Sequence, residues 1–246
     1  MKKSILILAT TIFHLFVFGQ TNTFSEQPWK NEKYPIIIDP YQDNSIDFDK
    51  LLTDRRTVAI IHKASQGLKA DNKFVSRGLI SKSKNLLYAS YHLGTNTDPI
   101  KQADFYLSII KDHLNEPTAL DIENIGGNNI SLKDAEKFIN RIFEKTNHFP
   151  FVYVNNKVFE EINLKYDKNS VFAKCPLWYA RFLLTLPKLS NKVWDKVTVW
   201  QFSCELNCKE TGKCLYNVPG TRFDIDVNAF NGSLDELKLF WKGFEN

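Results

Sequence analysis

The sequence has no strong charge of either sign, no membrane-length apolar run after its first residues and no linker-like segment. Its 32 Lys and Arg residues nearly balance its 28 Asp and Glu residues, and the formal net charge is +4. The chain therefore lacks the strongly positive electrostatic field that attracts nucleic acid, and we expect no nucleic-acid partner. No Pro-, Gly- or Ser-rich linker and no internal repeat divides the chain. A hydrophobic content of 43% is ample for a core, and composition alone does not decide between one α/β barrel and two small domains.

The N-terminus has the pattern of a signal peptide. Positive charge at Lys2 and Lys3 is followed by a mainly apolar stretch, 4–18, and small residues precede a cut ahead of Gln20. This stretch is shorter than the roughly 20 residues that span a bilayer. We predict a signal peptide over 1–19 and a secreted or periplasmic protein. No membrane anchor is expected, and no lipid-modified N-terminus, because no cysteine lies near the cut.

Cysteines are few, and all lie in the last third of the chain: Cys175, Cys204, Cys208 and Cys214. In an exported protein an even number of cysteines predicts disulfides, and three pairings are open. The cluster at 204–214 also has a spacing that suggests zinc, but no histidine lies near it. Disulfides that staple the polar loop 205–220 are the favoured interpretation.

Strand-like and helix-like segments alternate along the chain. Eight segments have the composition of strands: 35–39, 58–65, 86–93, 118–123, 149–155, 176–182, 196–203 and 223–230. Helices are predicted at 74–84, after Asp98-Pro99, after Ser131, at 157–164 and at 234–244. This alternation predicts an α/β fold with a single (β/α)8-like, TIM-type barrel over 35–246, preceded by an N-terminal extension at 20–34.

Two carboxylates lie two residues apart at the end of the fourth predicted strand. Asp121 and Glu123 alternate with apolar Leu120 and Ile122, and side chains at i and i+2 of a strand share one face, about 6.6 Å apart. Paired acids suit glycosidic bond cleavage, in which one acid protonates the leaving oxygen and a second negative group stabilises the charged sugar. A D-x-E triplet is also common as a polar strand end, so its surroundings must decide.

Two further acids are predicted at the same mouth. In a TIM-type barrel the functional groups lie at the C-terminal ends of the strands. Asp39 ends the first predicted strand and Asp226 lies in the eighth, and these strands are neighbours once the barrel closes. A single Asp after a strand is usually a turn former or helix cap. Four acids that converge indicate a site.

With these residues in place, the chain resembles the family 25 glycoside hydrolases. Nine segments are similar to that family's motifs, in the same order: 38–39, 61–67, 88–92, 102–105, 120–123, 152–153, 176–181, 200–203 and 226–230. The resemblance covers about 36–232. Members of the family are lysozymes that cut the β-1,4 bond between N-acetylmuramic acid and N-acetylglucosamine in peptidoglycan, and their fold is an irregular (β/α) barrel.

The resemblance implies roles for the matched residues. Glu123 matches the family's proton donor, and Asp121 matches the partner carboxylate that orients the substrate's 2-acetamido group or stabilises the charged intermediate. Asp39 and Asp226 match acids that complete the pocket. The matched residues expected to bind substrate are Tyr91, Tyr153, Trp178, Gln201 and Lys63.

The chain departs from the family pattern in three places. The segment Asp39-Pro-Tyr-Gln-Asp43 is shorter than the usual one and lacks its Ser and Gly. Gln66 replaces a Glu. This removes one negative charge from those expected at the mouth and is predicted to shift the pH optimum or the substrate preference. The Cys-rich loop after Ser203 is an addition, expected to shape one end of the groove.

Four residues have two interpretations each. Lys63 is either a cation that lines the pocket or the ion-pair partner of one acid, and both would depress a neighbouring acid's pKa. His92 is either a base or, as we favour, a hydrogen-bonded structural residue. Trp178 and Trp200 fit a barrel core and a sugar platform equally well.

The expected function is that of a secreted muramidase, a monomer that binds the glycan strands of peptidoglycan and needs no metal or organic cofactor. Burial and repulsion from Asp121 should keep Glu123 protonated. The nucleophile is either a carboxylate or the substrate's own acetamido oxygen. Two alternatives stay open at this point: a non-catalytic glycan-binding barrel, and a hydrolase of another N-acetylhexosamine polymer such as chitin.

Overall fold

The computed structural model describes residues 24–124, 126–190, 192–211 and 213–244. The predicted signal peptide, 1–19, lies outside the described residues. Within the described part of the chain, no helix combines the length and the apolar character needed to cross a bilayer.

The described strands form one sheet that closes on itself. They are β1 (Ile36–Ile38), β2 (Thr57–Gln66), β3 (Lys69–Ala70), β4 (Leu87–Leu93), β5 (Thr118–Ile122), β6 (Phe151–Asn155), β7 (Leu177–Ala180), β8 (Val199–Ser203) and β9 (Val227–Phe230). Their order is β1-β9-β8-β7-β6-β5-β4-β2-β3, and β1 also pairs with β2. Eight strands therefore close a barrel, with β3 as a short hairpin partner of β2, and the predicted TIM-type barrel is confirmed.

The barrel is irregular at its last strand. The strands β1, β2 and β4 to β8 run parallel to one another, whereas β9 is antiparallel to both β8 and β1. The strand predicted over 223–230 is limited to Val227–Phe230. Its direction is reversed because no helix in the described part of 204–226 carries the chain back to the far end of the barrel. The strand β9 therefore starts at the mouth, where β8 ends.

Helices pack around the barrel and across one of its ends. They are α1 (Phe48–Leu51), α2 (Phe74–Ser83), α3 (Pro99–Ile109), α4 (Leu132–Thr146), α5 (Asn156–Lys165), α6 (Val171–Lys174) and α7 (Leu234–Lys242), with 3₁₀ turns at Pro28–Lys30 and Lys111–His113. All five predicted helices form. The short α1 and α6 were not predicted, because one turn of helix carries no periodic signal.

The sequence of α4 shows why these segments become helical. The Ser131 side chain accepts a hydrogen bond from the Asp134 backbone N–H and caps the first turn. Apolar residues recur at helical spacing and are buried: Leu132, Ala135, Phe138, Ile139 and Ile142. Each such side chain contributes about 1.5–3 kcal/mol when fully buried. The helix ends at Asn147, whose φ of 58° is a left-handed conformation that Asn tolerates.

Alternation along the strands builds two apolar layers. In β1, Ile36 and Ile38 face the helices, whereas Ile37 faces the interior of the barrel. At the end opposite the mouth, Trp241 of α7 packs into the interior layer, and its Nε1 donates to the carbonyl of Tyr88 near the start of β4. With that end closed, the interior is accessible from the mouth.

The described part of the predicted N-terminal extension, 24–34, packs on the outside of the barrel. The ring of Trp29 lies 5.7 Å from that of Trp200 on β8. Arg56 Nη2 donates to the carbonyls of Pro28, Asn31 and Tyr34. The extension thus adds to the outer apolar layer, away from the mouth.

Candidate active site

The nine residues predicted for the site line one cleft at the mouth of the barrel. They are Asp39, Lys63, Tyr91, Asp121, Glu123, Tyr153, Trp178, Gln201 and Asp226, and the cleft has a volume of about 450 Å³. Strand alternation explains their convergence, because side chains two residues apart share a face. Asp39 thus follows Ile37 of the interior layer, and Asp121 follows Ala119.

Asp226 reaches the cleft in a way that differs from the prediction. It lies directly before β9, not at the C-terminal end of a parallel strand. Because β9 is antiparallel, its N-terminal end is at the mouth. The backbone carbonyl of Asp226 accepts a hydrogen bond from the N–H of Asp39 at 3.3 Å, which holds the two acids on adjacent strands.

Asp39 is fixed by two side-chain amides. Gln201 Nε2 donates to its Oδ2 at 3.0 Å, and Asn228 Nδ2 donates to its Oδ1. The orientation of Asn228 is itself set, because its Oδ1 accepts the indole N–H of Trp178 at 2.7 Å. Asp39 is 7% exposed, so this network holds an acid beneath the open part of the cleft.

The D-x-E pair of β5 lies at the centre of the cleft. Asp121 is 8% exposed, and its Oδ1 is buried without a hydrogen-bond partner among the described residues. Glu123 is half-buried, and its Oε1 accepts a hydrogen bond from Tyr153 Oη at 3.2 Å. Tyr153 Oη also lies 2.9 Å from Gln201 Oε1. One acid therefore has a hydrogen-bond partner, and the other has a buried oxygen without one.

Burial raises the pKa of all four acids. It is the largest cause for Asp39, Asp121 and Glu123, and it raises the pKa of Asp226 to about 8. Negative neighbours add to it: Asp226 raises the pKa of Asp39, and Glu123 raises the pKa of Asp121 and Asp226. The sequence predicts that both burial and repulsion from Asp121 raise the pKa of Glu123. In the structure burial raises the Glu123 pKa, and the repulsion raises the pKa of Asp121. Because every acid is shifted upward, the cluster retains protons at pH values where isolated carboxyls have lost them.

Lys63 brings a positive charge into this acidic cleft. Its Nζ lies 4.4 Å from the centroid of the Tyr41 ring, a cation–π contact. Burial lowers the Lys63 pKa, and the charges of Asp71 and Asp121 oppose that shift. Among the described residues Lys63 is in no ion pair. Of the two interpretations, the cation that lines the pocket is supported.

A buried arginine holds the segment that follows β1. Arg77 of α2 donates from Nη1 to the Tyr41 carbonyl at 2.8 Å and from Nη2 to the Asn44 carbonyl. Arg77 Nη1 also contacts His62 Nε2 at 3.0 Å. Burial lowers the pKa of His62 to about 4, which keeps this nitrogen an acceptor. The short segment after Asp39 is thus fixed by α2, and Tyr41 forms part of the cleft wall.

The arrangement is suited to proton transfer onto a substrate that fills the cleft. A carboxyl with a raised pKa can hold a proton near neutral pH and donate it. Its neighbours supply further carboxyl groups in a poorly solvated site, where charge interactions are strong. Among the described residues no group of His, Cys, Asp and Glu side chains is arranged to hold a metal ion.

A family model covers more than half of the chain. The model of the glycosyl hydrolases family 25 matches residues 38–211, which include all nine predicted site residues except Asp226. The chain belongs to glycosyl hydrolases family 25. The predicted family is therefore confirmed.

Solved structures of two other proteins have a fold similar to that of this family 25 chain. A bacterial lysozyme from Streptomyces coelicolor is 22% identical, with a TM-score of 0.69, and the match covers 85% of this chain and 98% of that one. A muramidase from Acremonium alcalophilum is also 22% identical, with a TM-score of 0.67 over 85% of this chain and 99% of that one. At this identity the likeness establishes the fold.

A curated relative is the uncharacterized protein YegX of Escherichia coli K12. It is 26% identical over 190 residues, which are 74% of this chain and 62% of the relative. This chain therefore spans less than two thirds of the length of that relative.

The Cys-rich loop of this family 25 chain, 204–226, forms one side of the cleft. Glu205 and Leu206 line the cleft, and the loop is stapled by a disulfide between Cys208 and Cys214. The staple agrees with the predicted role, but Cys175 and Cys204 are both free and buried. They cannot pair, because Cys175 precedes β7 at the far end of the barrel, whereas Cys204 follows the parallel β8 at the mouth.

Four other singled-out residues have defined places. His92 is buried, and its ring nitrogens contact Ser65 Oγ at 2.8 Å and Gln102 Oε1 at 3.0 Å, which is a structural role. Trp200 faces the outer layer, whereas Trp178 lies in the interior layer and also lines the cleft. Gln66 is exposed at the end of β2 and is not among the described residues that line the cleft. The substitution of Gln for Glu there leaves the cleft wall unaltered.

Sequence reasoning missed several residues that line the cleft and one, Asn228, that supports it from beneath. Asn228 shares a strand face with Asp226, and this i+2 spacing was a usable signal. Tyr41 stands two residues after Asp39 and was also visible. Phe182, Glu205, Leu206 and Asp224 line the cleft from loops, where no periodic pattern reveals direction.

Proposed function

We propose that this chain is a secreted muramidase that hydrolyses the β-1,4 bond between N-acetylmuramic acid and N-acetylglucosamine in peptidoglycan. The observation that carries the proposal is the pair Asp121 and Glu123 in the centre of a cleft of about 450 Å³, with Asp121 near the end of β5 and Glu123 directly after it. Family membership supports the reaction class.

Glu123 is the proposed proton donor. Burial raises its pKa, so it holds a proton that it can pass to the glycosidic oxygen as the bond from the anomeric carbon breaks. The leaving sugar departs as an alcohol, and Glu123 then accepts a proton from the water that completes hydrolysis. The family resemblance favours retention of the anomeric configuration.

Asp121 is proposed to orient the substrate's 2-acetamido group. Its Oδ1 is buried without a partner among the described residues. A buried acceptor that lacks a hydrogen bond costs about 1–3 kcal/mol. Once the carboxylate turns Oδ1 toward the cleft, the acetamido N–H supplies the missing donor. That contact turns the acetamido carbonyl oxygen toward the anomeric carbon, where it serves as the nucleophile of a substrate-assisted route.

Asp39 and Asp226 complete the proposed pocket. Asp39 is held by Gln201 and Asn228, and in its ionised form it adds to the field that favours a positive centre on the sugar. The rings of Tyr91 and Tyr153 and the edge of Trp178 form apolar walls, against which sugar faces pack.

Export is the second part of the proposal. It is supported by the charged and apolar pattern of residues 1–19. N-terminal sequencing of protein recovered from outside the producing cell should start at or near Gln20. A cell-retained protein that starts at Met1 would contradict export and leave the chemistry untouched.

Mass analysis of a digest of defined peptidoglycan tests the reaction. A muramidase creates new reducing ends on N-acetylmuramic acid, a glucosaminidase creates them on N-acetylglucosamine, and an amidase releases peptides. We expect new muramic acid reducing ends, with little cleavage of chitin oligomers. Binding without cleavage would indicate a glycan-binding module, and faster cleavage of chitin would indicate another N-acetylhexosamine polymer as the substrate.

A further inference from the structure

A second cavity adjoins the cleft at Glu123. It has a volume of about 390 Å³ and is lined by Glu123, the loop after β5 and facing residues of α4 and α5. Glu123 is also part of the cleft wall. The proposed proton donor therefore borders both cavities, and a substrate bound across it would have a route into the second one.

This second cavity, hereafter the α4–α5 groove, is elongated. Along α5 its lining runs from Val158 to Lys165, about 10 Å at 1.5 Å per helical residue. Tyr166 closes the far end, where its Oη donates to Glu136 of α4 at 3.1 Å. A length of 10 Å holds about three residues of extended peptide.

The charge of the α4–α5 groove differs from that of the cleft. Of the described residues that line the cleft, six are acidic and one, Lys63, is basic. In the α4–α5 groove, Glu161 is paired with Lys165 at 2.7 Å. Lys133 also lines it and is in no ion pair among the described residues. An anionic group would thus be repelled by the cleft and attracted to Lys133.

The rim of the α4–α5 groove also carries amide and hydroxyl groups. Asn129 Nδ2 donates to Asn124 Oδ1 at 2.7 Å, which joins the two ends of the loop after β5. Ser131, the N-cap of α4, lies beside them. Such groups match the alternating donors and acceptors of a peptide backbone.

We propose that the α4–α5 groove binds the acidic peptide stem carried by the muramic acid residue, with Lys133 contacting a stem carboxylate. The inference rests on the proposed function, because it places the glycan in the cleft next to Glu123. A stem hangs from the sugar as a short peptide with free carboxylates. Its size, charge and point of departure match the length of the groove, the position of Lys133 and the border at Glu123.

Two glycan substrates test this assignment. The first is uncrosslinked strands that carry stems, and the second is the same strands after an amidase has removed the stems. In stem-bearing strands the lactyl carboxyl is bonded to the stem as an amide, and the amidase frees it as a carboxylate. Capping this carboxylate as a simple amide leaves the stem as the difference between the two substrates. The variants are Lys133→Gln, the charge reversal Lys133→Glu and the control Lys157→Gln, an exposed lysine of α5 outside the groove lining.

We expect Lys133→Gln to raise KM for stem-bearing strands about threefold to fivefold, the effect of losing one exposed charge contact. Turnover should be unchanged, and stem-free strands should show less than about a twofold effect. Lys133→Glu should raise KM further, and added salt should reduce the difference because it screens charges. Lys157→Gln should match the wild type on both substrates.

An equal loss on both substrates would assign Lys133 to a sugar subsite and overturn the inference, as would no loss on either. Equilibrium binding of the two substrates to the same variants makes the comparison without turnover. If the wild type releases no reducing ends from either substrate, the proposed function fails. The binding comparison then still decides whether the groove recognises the stem.

Discussion

Asp226 is a residue at which function and stability conflict. Burial and the charges of Glu123, Glu205 and Asp224 raise its pKa to about 8, whereas an unfolded Asp titrates near 3.9. Between these values the folded state holds a proton that the unfolded state has lost. Unfolding then releases a proton, so the contribution of Asp226 to stability falls as pH rises from about 4 to about 8.

Asp226→Asn should therefore stabilise the protein at pH 7 and lower its activity. The expected gain is roughly 1–3 kcal/mol in the free energy of unfolding, less than full linkage because neighbouring acids share the proton. Urea denaturation at pH 7 and at pH 3.5 measures it, and the gain should disappear at pH 3.5, where Asp226 is protonated in both states. A variant that is less stable than the wild type at pH 7 would contradict the electrostatic account.

Asp39→Asn should behave differently, although its pKa is also raised. Both Asp39 oxygens accept amide N–H groups, from Gln201 and Asn228. An Asn at this position directs its own NH₂ at one of these donors, and Asn228 cannot reverse because its Oδ1 accepts from Trp178. We expect Asp39→Asn to be roughly 1–3 kcal/mol less stable than Asp226→Asn. Equal stability in the same denaturation series would mean that the amide network does not hold Asp39.

Tyr153 adjusts the proton affinity of Glu123. Its hydroxyl donates to Glu123 Oε1 and lowers the Glu123 pKa against the rise caused by burial. Tyr153→Phe should therefore raise that pKa. Because the proton donor must be protonated, the alkaline limb of the profile of kcat/KM against pH should move to higher pH. A limb that moves to lower pH would show that Tyr153 does not act through Glu123.

At the scale of elements, α2 supports the short segment after β1. Arg77 is 6% exposed and binds the carbonyls of Tyr41 and Asn44. Asn44 in turn bonds the Asp224 carbonyl at 3.0 Å, which links this segment to the loop before β9. Two walls of the cleft thus depend on one buried guanidinium.

Arg77→Met should lower the free energy of unfolding by roughly 2–4 kcal/mol, because it leaves buried carbonyls without donors. In the folded fraction KM should rise more than kcat falls. The reason is that Tyr41 is displaced, whereas Asp121 and Glu123 at the end of β5 stay in place. Arg77→Lys should restore little, because a single ammonium cannot make the same set of bonds. The exposed Arg55→Gln is the control and should change stability by less than about 0.5 kcal/mol. Arg77→Met kinetics equal to wild type would remove α2 from any role in positioning the cleft.

How far the sequence predicts these elements depends on periodicity. Inward positions such as Asp39 and Asp121 follow from alternation, because each strand has an apolar residue two positions earlier to set its face. The direction of β9 does not follow, since it is decided by a 204–226 connection that has no periodic pattern. For the same reason, Glu205 and Leu206 could not be placed in the cleft before the loop that carries them was known.

At the scale of the molecule, the barrel topology decides which cysteines can pair. The disulfide joins Cys208 and Cys214, and the free thiols of Cys175 and Cys204 are buried at opposite ends of the barrel. Sequence could not choose among pairings, because pairing depends on which end of a strand each cysteine occupies. Burial also raises the pKa of the Cys204 thiol to about 12.

Thiol titration should therefore give two free thiols per chain after denaturation without reductant, and slow or no reaction in the native state. Protein recovered from outside the cell is the sample to use, since the cytosol keeps thiols reduced. Four free thiols would contradict the staple, and none would show that Cys175 and Cys204 pair in a structure different from this one.

The most direct test of the account is the rate at which Glu123→Gln releases new muramic acid reducing ends from peptidoglycan. Gln keeps the shape of Glu but has no acidic proton, and general acid catalysis contributes about 10²- to 10⁴-fold. We expect the rate to fall by at least about a hundredfold, with glycan binding close to wild type and a thermal midpoint no lower than that of the wild type. A Glu123→Gln protein that keeps more than about a tenth of wild-type turnover would contradict Glu123 as the proton donor.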